Sequence, residues 1–175
     1  MPERDGTRGE VRRFLILFVV VSNLVLADAV VKEIAAGCLK GAAAVSVIPN
    51  FFDLAYVENR GCAWGLLQGK VWPLAAFGVL ALACLVWKRK SVFSCEGADG
   101  AVARGWRGCA AVAEPLLYAG VVGNLIDRIF RGYVIDMFDF HWAESHFPCF
   151  NLADSYICVS AALIMLLSLV TDKKK

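Results

Sequence analysis

The chain has 175 residues, 59% of them hydrophobic and 19% charged, with a formal net charge of +2. Its mean hydropathy is +0.61. Soluble domains average about 45–50% apolar and about 25% charged residues, so this composition excludes an ordinary soluble domain and points to a membrane protein. The small net charge argues against a nucleic-acid partner. Seven scattered cysteines with no C-x-x-C pair argue against a zinc site or a disulfide framework, and all seven are read as packing residues.

Four runs are long and apolar enough to cross a bilayer, which takes about 17–25 residues. In chain order they are Phe14 to Val31, Val71 to Trp87, Gly108 to Ile126 and Ala153 to Val170. The third is the weakest, because Glu114 and Pro115 interrupt it. The runs are continuous and not alternating, which predicts helices. Between the first two, residues 44–67 are rich in β-branched and aromatic side chains. Pro49-Asn50 and Gly61 punctuate that stretch, predicting short strands at the membrane surface.

Orientation follows from Lys and Arg placement. Arg4, Arg8, Arg12 and Arg13 precede the first span. Lys88, Arg89, Lys90, Arg104 and Arg107 separate the second from the third, and Lys173 to Lys175 end the chain. These regions belong on the cytoplasmic side, leaving loops 32–70 and 127–152 outside. The Arg-rich start followed by Ala27-Asp28-Ala29 also fits a secretory leader, but cleavage there would leave three spans, in conflict with the charge pattern.

Ionisable and amide groups beside spans carry the information in a membrane protein. Asp28 and Lys32 are one helical turn apart and can pair. Asn124, Asp127 and Arg128 share a helix face, and an Asp beside an Arg is most simply a structural pair. Asn151 and Asp154 suit an N-cap and a first-turn carboxylate. Asn59, Arg60, Asp136 and Asp139 lie in the outer loops. All fall at one outer rim. His141 and His146, in His141-Trp-Ala-Glu144-Ser-His146, come close to an H-x-x-E-H metal motif but with one residue too many, so they are assigned to a solvated or interfacial loop and no metal is expected. Glu114 lies away from the rim and is expected to snorkel inward or to pair with Arg107.

What remains is carboxylate chemistry. Two carboxyl groups held close cannot both ionise, so one keeps its proton and can polarise a carbonyl while the other takes a proton from water. Four rim carboxylates (Asp127, Asp136, Asp139 and Asp154) could supply such a pair, and spacing does not choose among them.

Five motifs in order resemble the lipoprotein signal peptidases (signal peptidase II): Asp28-x-x-x-Lys32; Asn59-Arg-Gly61-Cys-Ala63-Trp64-Gly65; Gly123-Asn124-x-x-Asp127-Arg128; Gly132-x-Val134-x-Asp136; and Phe150-Asn151-x-Ala153-Asp154-Ser155. The resemblance implies an aspartic endopeptidase that removes signal peptides from diacylglyceryl-modified prolipoproteins, cutting just before the lipidated cysteine, without a cofactor. It implies Asp136 and Asp154 as the catalytic pair. Asn59, Arg128 and Asn151 correspond to positions that contact substrate, Asp28, Lys32, Asn124 and Asp127 to the polar framework, and Gly61 belongs to the same substrate-binding and framework set.

The chain departs from the family pattern at Ala29, at Arg60 and at Val121, which adds bulk where close helix packing is expected. The fold expected is an all-α integral membrane protein: four transmembrane helices, with a small extracytoplasmic β-like segment between the first and second. One domain spans residues 1–175, as a monomer in phospholipid of the bacterial inner membrane with both termini cytoplasmic. The alternative weighed is a small four-span proton-coupled transporter, which would place a carboxylate near mid-membrane.

Overall fold

The structure, a computed structural model, describes residues 3–62, 66–93, 100–142 and 145–172. Ala63 to Gly65 of the second motif, Cys95, Glu144 and Lys173 to Lys175 lie outside these residues, as does the side chain of Arg4.

Helix α1 (Glu3–Leu39) is one unbroken helix of 37 residues. At 1.5 Å per residue it is about 55 Å long, well beyond the roughly 30 Å of a hydrocarbon core. It therefore carries Lys32 to Leu39, assigned from sequence to an outer loop, as a rigid extension of the first span. Strands β1 (Val45–Ile48) and β2 (Phe52–Asn59) follow. Next come α2 (Val71–Trp87), with the expected limits, and a short helix α3 (Arg89–Phe93). Helix α4 (Gly100–Phe130) runs straight through Pro115, which does not break it. Strands β3 (Val134–Trp142) and β4 (Ser145–His146) lead into α5 (Leu152–Asp172).

Two of the described helices are long and apolar enough to cross a membrane, at Arg8–Leu39 and Ala103–Phe130, while Val71–Trp87 and Leu152–Leu166 are shorter apolar helices. Phe14, Leu15, Ile16, Phe18 and Val19 of α1 are exposed. In water such a continuous apolar surface would be a liability, whereas in lipid it is the natural outer face.

The β-like segment proves larger than expected. Four strands form one sheet in the order β1-β2-β3-β4, and half of it comes from the second outer loop. Strand β3 pairs antiparallel with β2, with Asn59 opposite Val134 and Val57 opposite Asp136. This pairing covers the β2 edge that a two-stranded ribbon would leave open. Gly132, at φ 76°, makes the turn from α4 into β3, a conformation that favours glycine. The sheet rests on the C-terminal end of α1, where Ala35 and Leu39 pack against Ile135 and Met137. A second apolar cluster of Phe93, Trp106, Ala110 and Ala113 closes the other end.

Helix α4 is central, touching α1, α2 and α5. Its glycines set the spacing. A Cβ on Gly120 would lie 2.5 Å from the Ala153 carbonyl oxygen, and one on Gly123 would lie 2.7 Å from Asp28 Oδ2. The close approach expected of this motif therefore rests on Gly120 and Gly123. Val121 faces a cleft instead and leaves the α4–α5 contact tight.

Candidate active site

The framework forms around a buried cation. Lys32 Nζ lies 2.7 Å from Asp28 Oδ2 and 3.0 Å from Asp127 Oδ2, and donates to Asn124 Oδ1 at 3.2 Å. A lysine has three N–H donors, and all three are used. All four side chains are buried, where an unpaired charge would be very costly. The other Asp28 oxygen accepts the Ala153 backbone N–H at 2.9 Å, which anchors the start of α5 to α1.

Asp127 pairs with Arg131 one helical turn on, Nε to Oδ1 at 2.9 Å, and its Oδ2 accepts the Ile135 N–H at 3.3 Å. Its partner is therefore not the adjacent Arg128. Neighbours in a helix sequence point about 100° apart, while residues four apart share a face. Arg131 also pairs with Glu33 of α1. Arg128 instead donates Nη2 to the Gly61 carbonyl at 3.1 Å, tying α4 to the loop after β2, and Nη1 to the Asn124 carbonyl at 3.3 Å.

Hydrogen bonding separates the four rim aspartates. Asp127 has two cations. Asp139 faces His146, Nδ1 to Oδ1 at 3.0 Å. Among the described residues, Asp136 and Asp154 are held by amides alone. Asn59 Nδ2 donates to Asp136 Oδ2 at 2.9 Å, and Asn151 Nδ2 to Asp136 Oδ1 at 2.7 Å. Asn124 Nδ2 donates to Asp154 Oδ1 at 2.7 Å, and the Asn151 N–H to Asp154 Oδ2 at 3.3 Å. Asn151 Nδ2 also reaches Asn124 Oδ1 at 3.1 Å, so two asparagines bridge the two carboxyls. Asn59 is itself fixed by the Gly61 N–H, 2.9 Å from Oδ1. Burial pushes the Asp136 carboxyl up to about 7, and the nearby charge of Asp154 adds to the rise. The bonds from Asn59 and Asn151 and the charge of Lys32 oppose it.

Two clefts meet here. A mostly apolar one of about 500 Å³ lies between α2, α4 and α5, walled by Phe77 and Leu125 and ending at Asn124, Arg128 and Asp154. A more polar one of about 490 Å³ lies over the sheet and reaches Asn59, Asp136 and Asp139. Cys62 borders both.

Three sequence expectations need correction. His141 and His146 lie on β3 and β4, not in a loop, stacked with ring centroids 5.0 Å apart. His141 also lies 3.3 Å from Asp53. Glu114 pairs with Arg13, at 3.3 Å, and with Arg89, not with Arg107. Asp127 pairs with Arg131, not with the adjacent Arg128, at an i, i+4 spacing already present in the sequence.

Known proteins agree on the class. Two solved structures, each described as a bacterial membrane enzyme crystallised by the in meso method, share this fold. One matches with a TM-score of 0.75 and 31% identity over 91% of each chain. The other has a TM-score of 0.69 and 30% identity over 88% of this chain and 92% of its own. The fold is thus that of a bacterial membrane enzyme. The family model "Signal peptidase (SPase) II" matches residues 20–170. The lipoprotein signal peptidase of Syntrophotalea carbinolica is 36% identical, over 88% of this chain and 91% of its own. That of Clostridium acetobutylicum is 35% identical, over 89% and 95%. The chain belongs to the signal peptidase II family and is a peptidase. The transporter alternative finds no support.

Proposed function

We propose that this peptidase removes signal peptides from prolipoproteins already carrying diacylglycerol on a cysteine, cutting just before that residue, with Asp136 and Asp154 as the catalytic pair. The observation that carries the assignment is hydrogen bonding. Of the four rim aspartates, these two alone have no ion-pair partner among the described residues, and they share a two-asparagine bridge where the two clefts meet. In the proposed reaction Asp136 holds the proton and donates it to the scissile carbonyl oxygen. Asp154 takes a proton from water as that water attacks the carbonyl carbon. Collapse of the tetrahedral diol passes a proton to the leaving nitrogen, giving a carboxylic acid and an amine.

The clefts suit a substrate with one apolar and one polar part. The apolar cleft would take acyl chain and signal-peptide side chains, and the polar one the chain beyond the cysteine. This reading places four spans in the bacterial inner membrane with both termini cytoplasmic, as the Lys and Arg distribution favours. The site then lies at the outer interface, and a monomer suffices.

The test is cleavage by the purified protein of a matched pair of precursor peptides, with and without diacylglycerol on the cysteine. The reading predicts cleavage of the lipidated peptide, immediately before the modified residue, and little of the other. Equal cleavage of both would overturn the substrate assignment.

A further inference from the structure

The end of the molecule opposite the aspartates holds a second set of charges that the peptidase chemistry does not use. Glu114 lies about 20 Å along α4 from Asp127, at 1.5 Å per residue, and its side chain is only 4% exposed. Arg13 of α1 and Arg89 of α3 both pair with it. Two guanidiniums on one carboxylate leave an excess of positive charge. Arg107 adds to it, since among the described residues it has no carboxylate partner. Nη2 of Arg89 is buried and has no hydrogen-bond partner among the described residues, so it adds to the positive field behind the cavity between α1 and α4 without facing it.

The other groups rim that cavity. Arg13, Arg107 and Glu114 line a space of about 550 Å³ between α1 and α4, with walls made by Ile16, Leu17, Val20 and Ala111. An adjoining space of about 450 Å³ shares Arg13 and adds Arg89, Lys90 and one further carboxylate, Glu10, so four cations face two carboxylates across the two spaces. Ile16, exposed on the apolar run of α1, opens the wall toward lipid. A basic rim with surplus donors, continuing into an apolar groove at the membrane face, complements an anionic amphiphile. A zwitterionic headgroup would bring its own cation into the same positive field.

We propose that this cavity binds one anionic phospholipid of the cytoplasmic leaflet. Its phosphate meets Arg107 and Arg13, and one acyl chain lies along Ile16, Val20 and Ala111. The lipid would tie α1, α3 and α4 together far from the cleavage site. The proposal rests on the chain spanning a membrane and is independent of the aspartate chemistry.

The probe is phosphatidylglycerol, with phosphatidylcholine as comparison, titrated into the purified full chain in a neutral detergent. Lipid retention is read by native mass spectrometry, and binding by the shift in unfolding midpoint. One phosphatidylglycerol per chain should be retained, and its concentration should raise the midpoint where phosphatidylcholine does not. Arg107→Ala removes an exposed side chain that has no ion pair among the described residues. It should weaken binding roughly tenfold, about the loss of one charge-assisted hydrogen bond, with precursor cleavage unchanged. Ala111→Phe, which fills the acyl wall, should weaken binding comparably. Arg12→Ala makes the same charge change on α1 outside this cavity and should have little effect.

Equal weakening by Arg12→Ala and Arg107→Ala would reduce the site to diffuse attraction and overturn the proposal. Equal binding of phosphatidylcholine would overturn it too, as would an inert Ala111→Phe. Protection by free glycerol phosphate at the same concentrations would make this a site for soluble anions and not for lipid.

Discussion

Asn151 and Asp154 cap each other at the start of α5: Asn151 Oδ1 accepts the Asp154 N–H at 2.9 Å, and Asp154 Oδ2 accepts the Asn151 N–H at 3.3 Å. This is a capping box with an aspartate at the third helical position. The helix terminus thereby fixes a carboxylate proposed to do chemistry, while the Asn151 amide reaches across to Asp136. Capping and the amide bridge can be separated here. Asn151→Ser keeps an N-cap oxygen but loses the amide donors. It should lose about 1–3 kcal/mol of stability from the acceptors left unmet on Asp136 and Asn124, while cleavage falls roughly ten- to a hundredfold as the bridge between the two carboxyls is lost. Asn151→Ala should lose activity similarly and a further ~1 kcal/mol of stability.

Asp136 makes stability depend on pH. Its carboxyl is raised from 3.8 to about 7, chiefly by burial and secondarily by Asp154. The folded protein therefore binds this proton more tightly than the unfolded chain. The stability this contributes is present below the ordinary carboxylate range, is lost as pH rises toward about 7, and changes no further above that. The loss is at most about 4 kcal/mol, from about three pKa units. Unfolding curves of wild type and Asp136→Asn across pH 4–8 should differ in slope over this window. Asp154→Asn removes a neighbouring negative charge, so the upper end of the window should move to lower pH.

Lys32 neutralises two buried carboxylates at once. Lys32→Met would leave Asp28 and Asp127 facing each other without their shared cation. The expected loss is about 3–5 kcal/mol, as for other buried pairs broken on one side, read as a lower unfolding midpoint in detergent. Asp127→Asn should cost less, because Lys32 keeps Asp28.

Gly120 is where α4 and α5 come closest. Gly120→Ala would drive a methyl against the Ala153 carbonyl, one residue before Asp154. Overpacking of this kind costs about 1–3 kcal/mol, and cleavage should fall with it because Asp154 moves. Val121→Ala, on the cleft side, should leave stability within about 0.5 kcal/mol of wild type.

Much of this architecture is legible in the residue order. Apolar runs mark the helices, and Val71–Trp87 has the limits the sequence suggests. Helix ends are harder to see, because α1 and α4 continue past their apolar stretches: Ala35 and Leu39 of α1 pack against the sheet, and Trp106 of α4 packs on Phe93. The second half of the sheet was missed although its signal was present. Phe138, Phe140 and Trp142 alternate with Asp139 and His141, a period-two pattern. The partners of Glu114 were not visible, since Arg13 is 101 residues away and only the fold brings it near. Position alone left four rim aspartates equivalent. Their partners distinguish them, and the decisive ones, Asn59 for Asp136, Asn124 for Asp154 and Lys32 for Asp127, come from β2, α4 and α1 at long sequence separation.

The central claim is that Asp136 and Asp154 act as a pair while Asp139, in the same polar cleft, does not. The direct measurement is the rate of lipidated-precursor cleavage by purified Asp136→Asn, Asp154→Asn and Asp139→Asn, each shown to be folded by its unfolding transition. The account predicts losses on the order of 10²–10⁴-fold for the first two, the usual contribution of a positioned acid or base, and activity within a few-fold of wild type for the third. Near-wild-type cleavage by either Asp136→Asn or Asp154→Asn would contradict it.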